Sequence, residues 1–141
     1  MPAPESSAIE DAILARLTGD ATLEALTPDG VWLDEAPPGA TRFVIVSLVA
    51  SNDVAVFGRR AIESSLYLVK AVIEATGGGV AQQAAARIDV LLEDVPLDVP
   101  GYVWMTTHRL EPLERHELDP ADARLSWQHR GGRYRVEMSI A

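Results

Sequence analysis

Three histidines, His108, His116 and His129, fall in the last third of the chain beside Glu111, Glu114 and Glu117, residue types that together could ligate zinc. Their spacings fit no compact metal motif. No cysteine is present to supply a thiolate, a nucleophile or a disulfide, so no metal or other cofactor is expected. The Ser, His and Asp of a hydrolytic triad are all available, yet no Gly-x-Ser-x-Gly turn presents a nucleophile. Gly77-Gly78-Gly79 precedes an amphipathic stretch, where free N–H groups could cradle a phosphate. With neither a following Gly-Lys-Ser/Thr nor a Gly-x-Gly-x-x-Gly, it reads instead as a flexible strand-to-helix connection. No enzymatic reading has a specific residue pattern behind it.

The acidic pairs Asp34-Glu35 and Glu93-Asp94 sit at the ends of expected elements, where solvation is the plain explanation. The functional alternative is a pore: carboxylates repeated around a ring would repel DNA phosphates and let DNA slide without adhering. The chain has 21 acidic residues against 12 Lys and Arg, a net charge of -9, which argues against gripping nucleic acid by bulk charge. All of that excess lies in residues 1–100, with 15 acidic and 6 basic side chains, while residues 101–141 hold 6 of each. Lys70 is the only lysine. The preference for arginine is either compositional or a sign of planar, bidentate pairing at protein contacts.

At 141 residues, 48% hydrophobic, the sequence is expected to form one globular domain over 1–141. Its longest apolar stretch, Phe43 to Ala50, is too short to span a bilayer, and the start Met1-Pro2-Ala3-Pro4-Glu5 lacks the basic and apolar regions of a secretory leader. Ser7-Ala8-Ile9-Glu10 fits a capping box opening a helix whose apolar face is Ile9, Ala12, Ile13 and Leu17, with a stop at Gly19. Asp20 can cap a short second helix, Ala21 to Leu26. Val31 to Asp34 reads as a strand, Ala36-Pro37-Pro38-Gly39 as a turn, and Arg42 to Ser51 as a strand apolar on both faces. Such a strand is either central in its sheet or covered by a neighbouring subunit.

Ser51 to Gly58 reads as an exposed loop holding Val54, Val56 and Phe57, apolar residues that face a partner or pack within the loop. Ala61 to Ala75 has spacings compatible with helix or strand; its β-branched and aromatic content favours strand. Val80, Ala84, Ile88, Leu91, Leu92 and Val95 mark a helix from Val80 to Asp94, ended by Pro96. Tyr102 to Leu110 alternates as a half-buried strand. Glu111 to Arg124, polar and interrupted by Pro112 and Pro120, reads as an excursion, and Arg133 to Ile140 as a final strand after a Gly131-Gly132 turn. The expected fold class is α+β, with a mostly antiparallel four- to five-stranded sheet and helices packed on one face.

The two leading helices, the strand ending in Ala36-Pro37-Pro38-Gly39, the apolar strand Arg42 to Ser51, the middle strand, the helix Val80 to Asp94 and the terminal His129-Arg130-Gly131-Gly132-Arg133-Tyr134-Arg135-Val136 together resemble the tail terminator, or tail completion, proteins of long-tailed bacteriophages. The resemblance covers nearly the whole chain. It implies a virion protein made in the host cytoplasm that assembles as a ring, typically of six subunits, on the last ring of tail-tube protein. Such a ring stops tube polymerisation, offers the surface that joins the head connector or stopper, and passes DNA through its lumen. Relatives occur in gene transfer agents and defective prophages. The excursion Glu111 to Arg124 departs from the expected pattern.

On that reading Val54, Val56, Phe57, Arg59 and Arg60 in the loop, with Arg115, Arg124 and Arg130 in the late segment, are expected at subunit or partner interfaces. Asp34, Glu35, Glu93 and Asp94 are candidates for the lumen. Two alternatives stand beside it: another head-tail joining component such as a stopper or adaptor, and a small cytoplasmic ligand-binding or enzymatic α+β domain. A deep pocket lined by Tyr102, Trp104 and His108 would favour the latter.

Overall fold

The architecture follows from one strand. In the computed structural model, which describes residues 5–141, Arg59–Ala75 is a continuous strand, β3, flanked by β2 (Arg42–Val56) on one side and β5 (Ser126–Ile140) on the other. Residues 1–4, on which the reading of the start Met1-Pro2-Ala3-Pro4-Glu5 partly falls, lie outside the described residues. The remaining elements are α1 (Ser7–Thr18), α2 (Ala21–Leu26), β1 (Val31–Leu33), α3 (Gly79–Leu92) and β4 (Tyr102–Leu118). They complete a five-stranded sheet of order β1-β2-β3-β5-β4, antiparallel except for the β1–β2 pair. The expected α+β class and mostly antiparallel sheet are observed.

Side chains alternate across a strand, and β3 uses both of its faces. Tyr67, Val69, Ala71 and Ile73 join the buried core with Ile9, Ile13 and Leu17 of α1, Leu23 of α2, and Ala81, Ala84, Ile88 and Leu92 of α3. All four β3 residues are odd-numbered, so the helices lie on one face. On the other face Phe43 and Trp127 bring their rings within 6.5 Å, over the buried Val72 and Ile45. The strand reading of Ala61 to Ala75 therefore holds: a helix would have buried one stripe, whereas this segment buries residues at period two.

Local signals at the chain's start are partly redirected. Ser7 does not form a capping box; it is the first residue of α1, Ser6 stands at the cap position without a side-chain cap bond, and the Ser7 N–H donates to the Glu5 carboxylate at 3.3 Å. The Ser6 hydroxyl instead donates to Glu63 at 3.2 Å. Asp20 does cap α2, accepting from the Leu23 N–H at 2.9 Å. The same carboxylate takes two hydrogen bonds from Arg87 of α3, at 2.8 and 2.6 Å. That guanidinium holds the Asp20 carboxyl down at about 2 and pins α2 to α3.

Four expectations near the turns are corrected. Ser51 to Gly58 is not a loop: β2 runs on to Val56 and pairs with β3, and the two are joined by the two residues Phe57 and Gly58. Arg59 and Arg60 accordingly belong to β3. Glu111 to Leu118 is not an excursion but the second half of β4. Pro112 is tolerated because β4 is an edge strand whose missing N–H faces no partner, and register shifts at Met105 and Leu110 bend that edge. The helix α3 ends at Leu92, with Glu93 at its cap, two residues before the expected Asp94.

Gly131-Gly132 is likewise not a turn. Both lie inside β5, opposite Lys70 and Val69 of β3. A Cβ on Gly131 would fall 2.6 Å from the Lys70 Cα and 2.9 Å from the Val69 carbonyl carbon. Those are backbone atoms in the middle of the sheet and cannot step aside. Gly131→Ala is therefore expected to destabilise the protein by about 1–3 kcal/mol through overpacking, read as a lower urea midpoint at unchanged slope; an unchanged midpoint would refute the close-approach account.

Candidate interaction surfaces

The sequence singles out two groups of polar residues, and the structure engages most of them internally. Glu63, unnoticed in the sequence, is fully buried. It accepts from the Tyr102 hydroxyl at 2.8 Å and pairs with Arg60 Nε at 2.7 Å. Arg60 is thus turned back onto its own chain two residues after the β2–β3 turn. Arg115 pairs with Glu117 at 3.0 Å, Arg124 with Asp122 at 3.0 Å, and Arg130 with Glu114 at 3.4 Å. These are partly or largely exposed pairs, each worth little to stability and open to exchange for a partner's carboxylate.

The late polar segment is organised as a cross-strand ladder. On the face away from the helices Lys70 Nζ lies 3.1 Å from His129 Nδ1, and His129 Nε2 lies 3.1 Å from Glu117 Oε1. An ammonium only donates, so Nδ1 accepts and Nε2 carries the proton that goes to Glu117. Burial, and then the Lys70 charge, hold His129 below the usual histidine value. Burial also lowers Lys70, and the hydrogen bond from His129 lowers Glu117. The other histidines stand apart. His116 is one residue from Arg115 and so on the opposite face of β4, and His108 pairs with Arg135, six residues along β5 from His129. Among the described residues no three His, Asp or Glu side chains are grouped to hold a metal.

Of the residues proposed for a ligand pocket, Tyr102 is buried in the core and Trp104 donates its indole N–H to Thr107 at 2.9 Å. A groove of about 510 Å³ runs between α3 and β4, lined by Gln82, Asp89, Arg109, Glu114 and Arg130 among others. Its charges answer one another: Asp89 accepts from Tyr134 at 2.8 Å and faces Arg109 at 4.0 Å, and Arg130 meets Glu114.

The acidic pairs occupy opposite edges of the sheet. Asp34 and Glu35 follow β1, where the Asp34 N–H donates to the Val46 carbonyl at 3.0 Å. Glu93 and Asp94 lie against β4; Glu93 accepts from the Arg109 N–H, and the Asp94 N–H donates to Thr107 at 2.7 Å. All four are exposed.

The least satisfied surface is the β2–β3 hairpin. β1 covers β2 only as far as Val46, and β5 begins pairing with β3 at Ile62. Beyond Val46 the outer edge of β2 has no partner strand among the described residues, and from Ala55 to Arg60 the ribbon is two-stranded. Every residue from Leu48 to Arg59 is exposed, among them Leu48, Val49, Val54 and Val56, and Phe57 stands at the tip at 101%. An unpaired strand edge carrying apolar side chains is a docking template.

No protein-family model matches the sequence, and no curated protein does. Solved structures do share the fold. One chain from the virion of a native gene transfer agent particle is 21% identical, with a TM-score of 0.68 over 95% of this chain and 96% of that one. A second solved chain, which bears no descriptive name, is 17% identical, with a TM-score of 0.58 over 97% of this chain and 96% of its own. The likeness therefore covers nearly the whole length of all three chains.

Acid should act on the fold through His129. Because the folded state depresses its proton affinity, the unfolded chain binds more protons as pH falls from about 7 to about 6, and stability falls with it. Glu10 and Glu74, whose carboxyls are raised by burial and by Asp119 respectively, act with the opposite sign but in the more acidic carboxylate range. Tm measured across the window is expected to decline, and His129→Gln to flatten the decline; an equal slope in the variant would sink this assignment.

Proposed function

We propose that this protein is a structural component of a phage-like particle and acts as a tail terminator, its whole length serving as one ring-forming domain. The observation that carries the reading is the end-to-end likeness to a chain of a gene transfer agent virion, at a TM-score of 0.68. The role works by assembly geometry. A ring, hexameric in the simplest case, seats on the last layer of tail-tube protein, blocks further addition, and offers its far side to the head connector or stopper.

The unsatisfied hairpin supports the reading. A monomer gains nothing from a two-stranded ribbon with an apolar, exposed rim, whereas a subunit that meets a different surface on its neighbour does. Val54, Val56, Phe57 and Arg59 are the proposed primary contacts. Arg115, Arg124 and Arg130, held in exposed internal pairs, would exchange partners at the rim, while Arg60, kept by the buried Glu63, would border the contact. Asp34, Glu35, Glu93 and Asp94 are the candidates for an acidic lumen past which DNA slides without sequence-specific binding. The particle is the proposed location, and no helix among the described residues is long and apolar enough to cross a membrane.

Light scattering across a concentration series, with negative-stain imaging in the presence and absence of purified tail tubes, tests this directly. Rings with a central hole, free or seated at tube ends, are expected. Protein that stays monomeric and also fails to bind tubes would overturn the proposal and favour a small ligand-binding domain instead.

A further inference from the structure

The turn between β2 and β3 breaks a local rule without local benefit. Val56 pairs with Arg59, so Phe57 and Gly58 form a two-residue turn, and both have positive φ, 52° and 78°. Such a turn wants Asn-Gly or Gly-Gly. A bulky aromatic side chain in the left-handed region is strained, and this one packs against nothing among the described residues, being fully exposed. Strain retained without an internal contact points to a contact made elsewhere. Arg59 beside it is exposed and takes no part in the ion pairs among the described residues.

A receptor of matching character lies at the opposite end of the molecule. Leu17, Leu23, Thr27, Pro28 and Val31, from α1, α2 and the start of β1, line a groove of about 290 Å³ with Glu24 among its residues. A cavity of roughly 150 Å³ already accepts benzene, so one phenyl ring fits. The Thr27 hydroxyl is satisfied by the Leu23 carbonyl at 2.9 Å and asks nothing of an apolar guest. Glu24 is exposed and, like Arg59, takes no part in those ion pairs.

Knob and groove cannot meet within one chain. The groove is tied to the start of β2 through Asp29, which accepts from the Arg42 N–H at 3.0 Å. From Arg42 the strand runs to Val56 before the turn, about 46 Å at roughly 3.3 Å per residue. We propose that Phe57 of one copy inserts into the α1–α2–β1 groove of the next, with Arg59 set against Glu24. The contact is heterologous, so repeating it yields a ring if the rotation closes and an open filament if it does not. The inference rests on the assembly reading above and supplies its contact.

The cysteine-free sequence makes the test direct. Glu24→Cys and Arg59→Cys chains are mixed and treated with a short bismaleimide. A covalent dimer is expected in the mixture and not in either variant alone. Adding Phe57→Asn to the Arg59→Cys chain should cut the yield about tenfold or more, as loss of a buried phenyl ring implies. The same substitution should raise the Tm of the isolated protein, because Asn suits the turn. A mixture that crosslinks no better than its components, or a yield indifferent to Phe57→Asn, would overturn the contact. Rings that persist in Phe57→Asn would leave the ring reading standing and remove this contact. Crosslinking between copies that never close into rings would do the reverse.

Discussion

The close approach of β5 to β3 at Gly131 is the constraint on which the rest of the structure depends. Only a residue without a Cβ fits over the Val69–Lys70 backbone, and once it sits there the register is set from Ile62↔Ser139 to Ala75↔Ser126. That register places Tyr134, Val136 and Met138 on the helix face beside Tyr67 and Val69, and His129 on the other face beside Lys70. A slip of one residue would exchange the two faces and bury the charged ladder in the core.

With the sheet so placed, the interior is well satisfied and the extremities are not. Glu63 has three partners drawn from β3, β4 and the approach to α1. Asp20 serves its own helix and Arg87 together. By contrast the distal half of the β2–β3 ribbon is paired on one side only and ends in a strained, exposed phenylalanine. A protein that functions through its interior would have been expected to concentrate its strain and unmet apolar surface around a pocket. Here they are concentrated at a tip, which is where an assembling subunit uses them.

The ladder Lys70–His129–Glu117–Arg115 shows how partly buried charges are tolerated on an otherwise open face. Each group has a neighbour across a strand, and burial is offset by hydrogen bonds between them. The ladder links β3, β5 and β4, so the edge strand that carries Pro112 is tied to the centre by side chains as well as by its backbone pairing.

Helix α1 was legible from its local period, 3.6 for Ile9, Ile13 and Leu17, and α2 from the Asp20 cap, whereas Ala61 to Ala75, whose spacings suit helix or strand, was legible as strand from its β-branched and aromatic content. The failures share a cause. Ser51 to Val56, Glu111 to Leu118 and Gly131-Gly132 carry polar residues, prolines or glycines that locally favour turns, and each became strand because a neighbouring strand satisfied its backbone. Ser7 lost its capping role for a similar reason: Ser6 took the cap position, and its hydroxyl reaches the buried Glu63 carboxylate instead of capping α1. The sequence by itself determined which segments alternate and which face of each is apolar, since those are properties of neighbours along the chain. Only the tertiary structure decided the pairing of Arg60 with Glu63, the union of Lys70 with His129, and the distance between Phe57 and the Leu17–Leu23 groove. These join residues remote in sequence, and their energies come into being when the sheet closes.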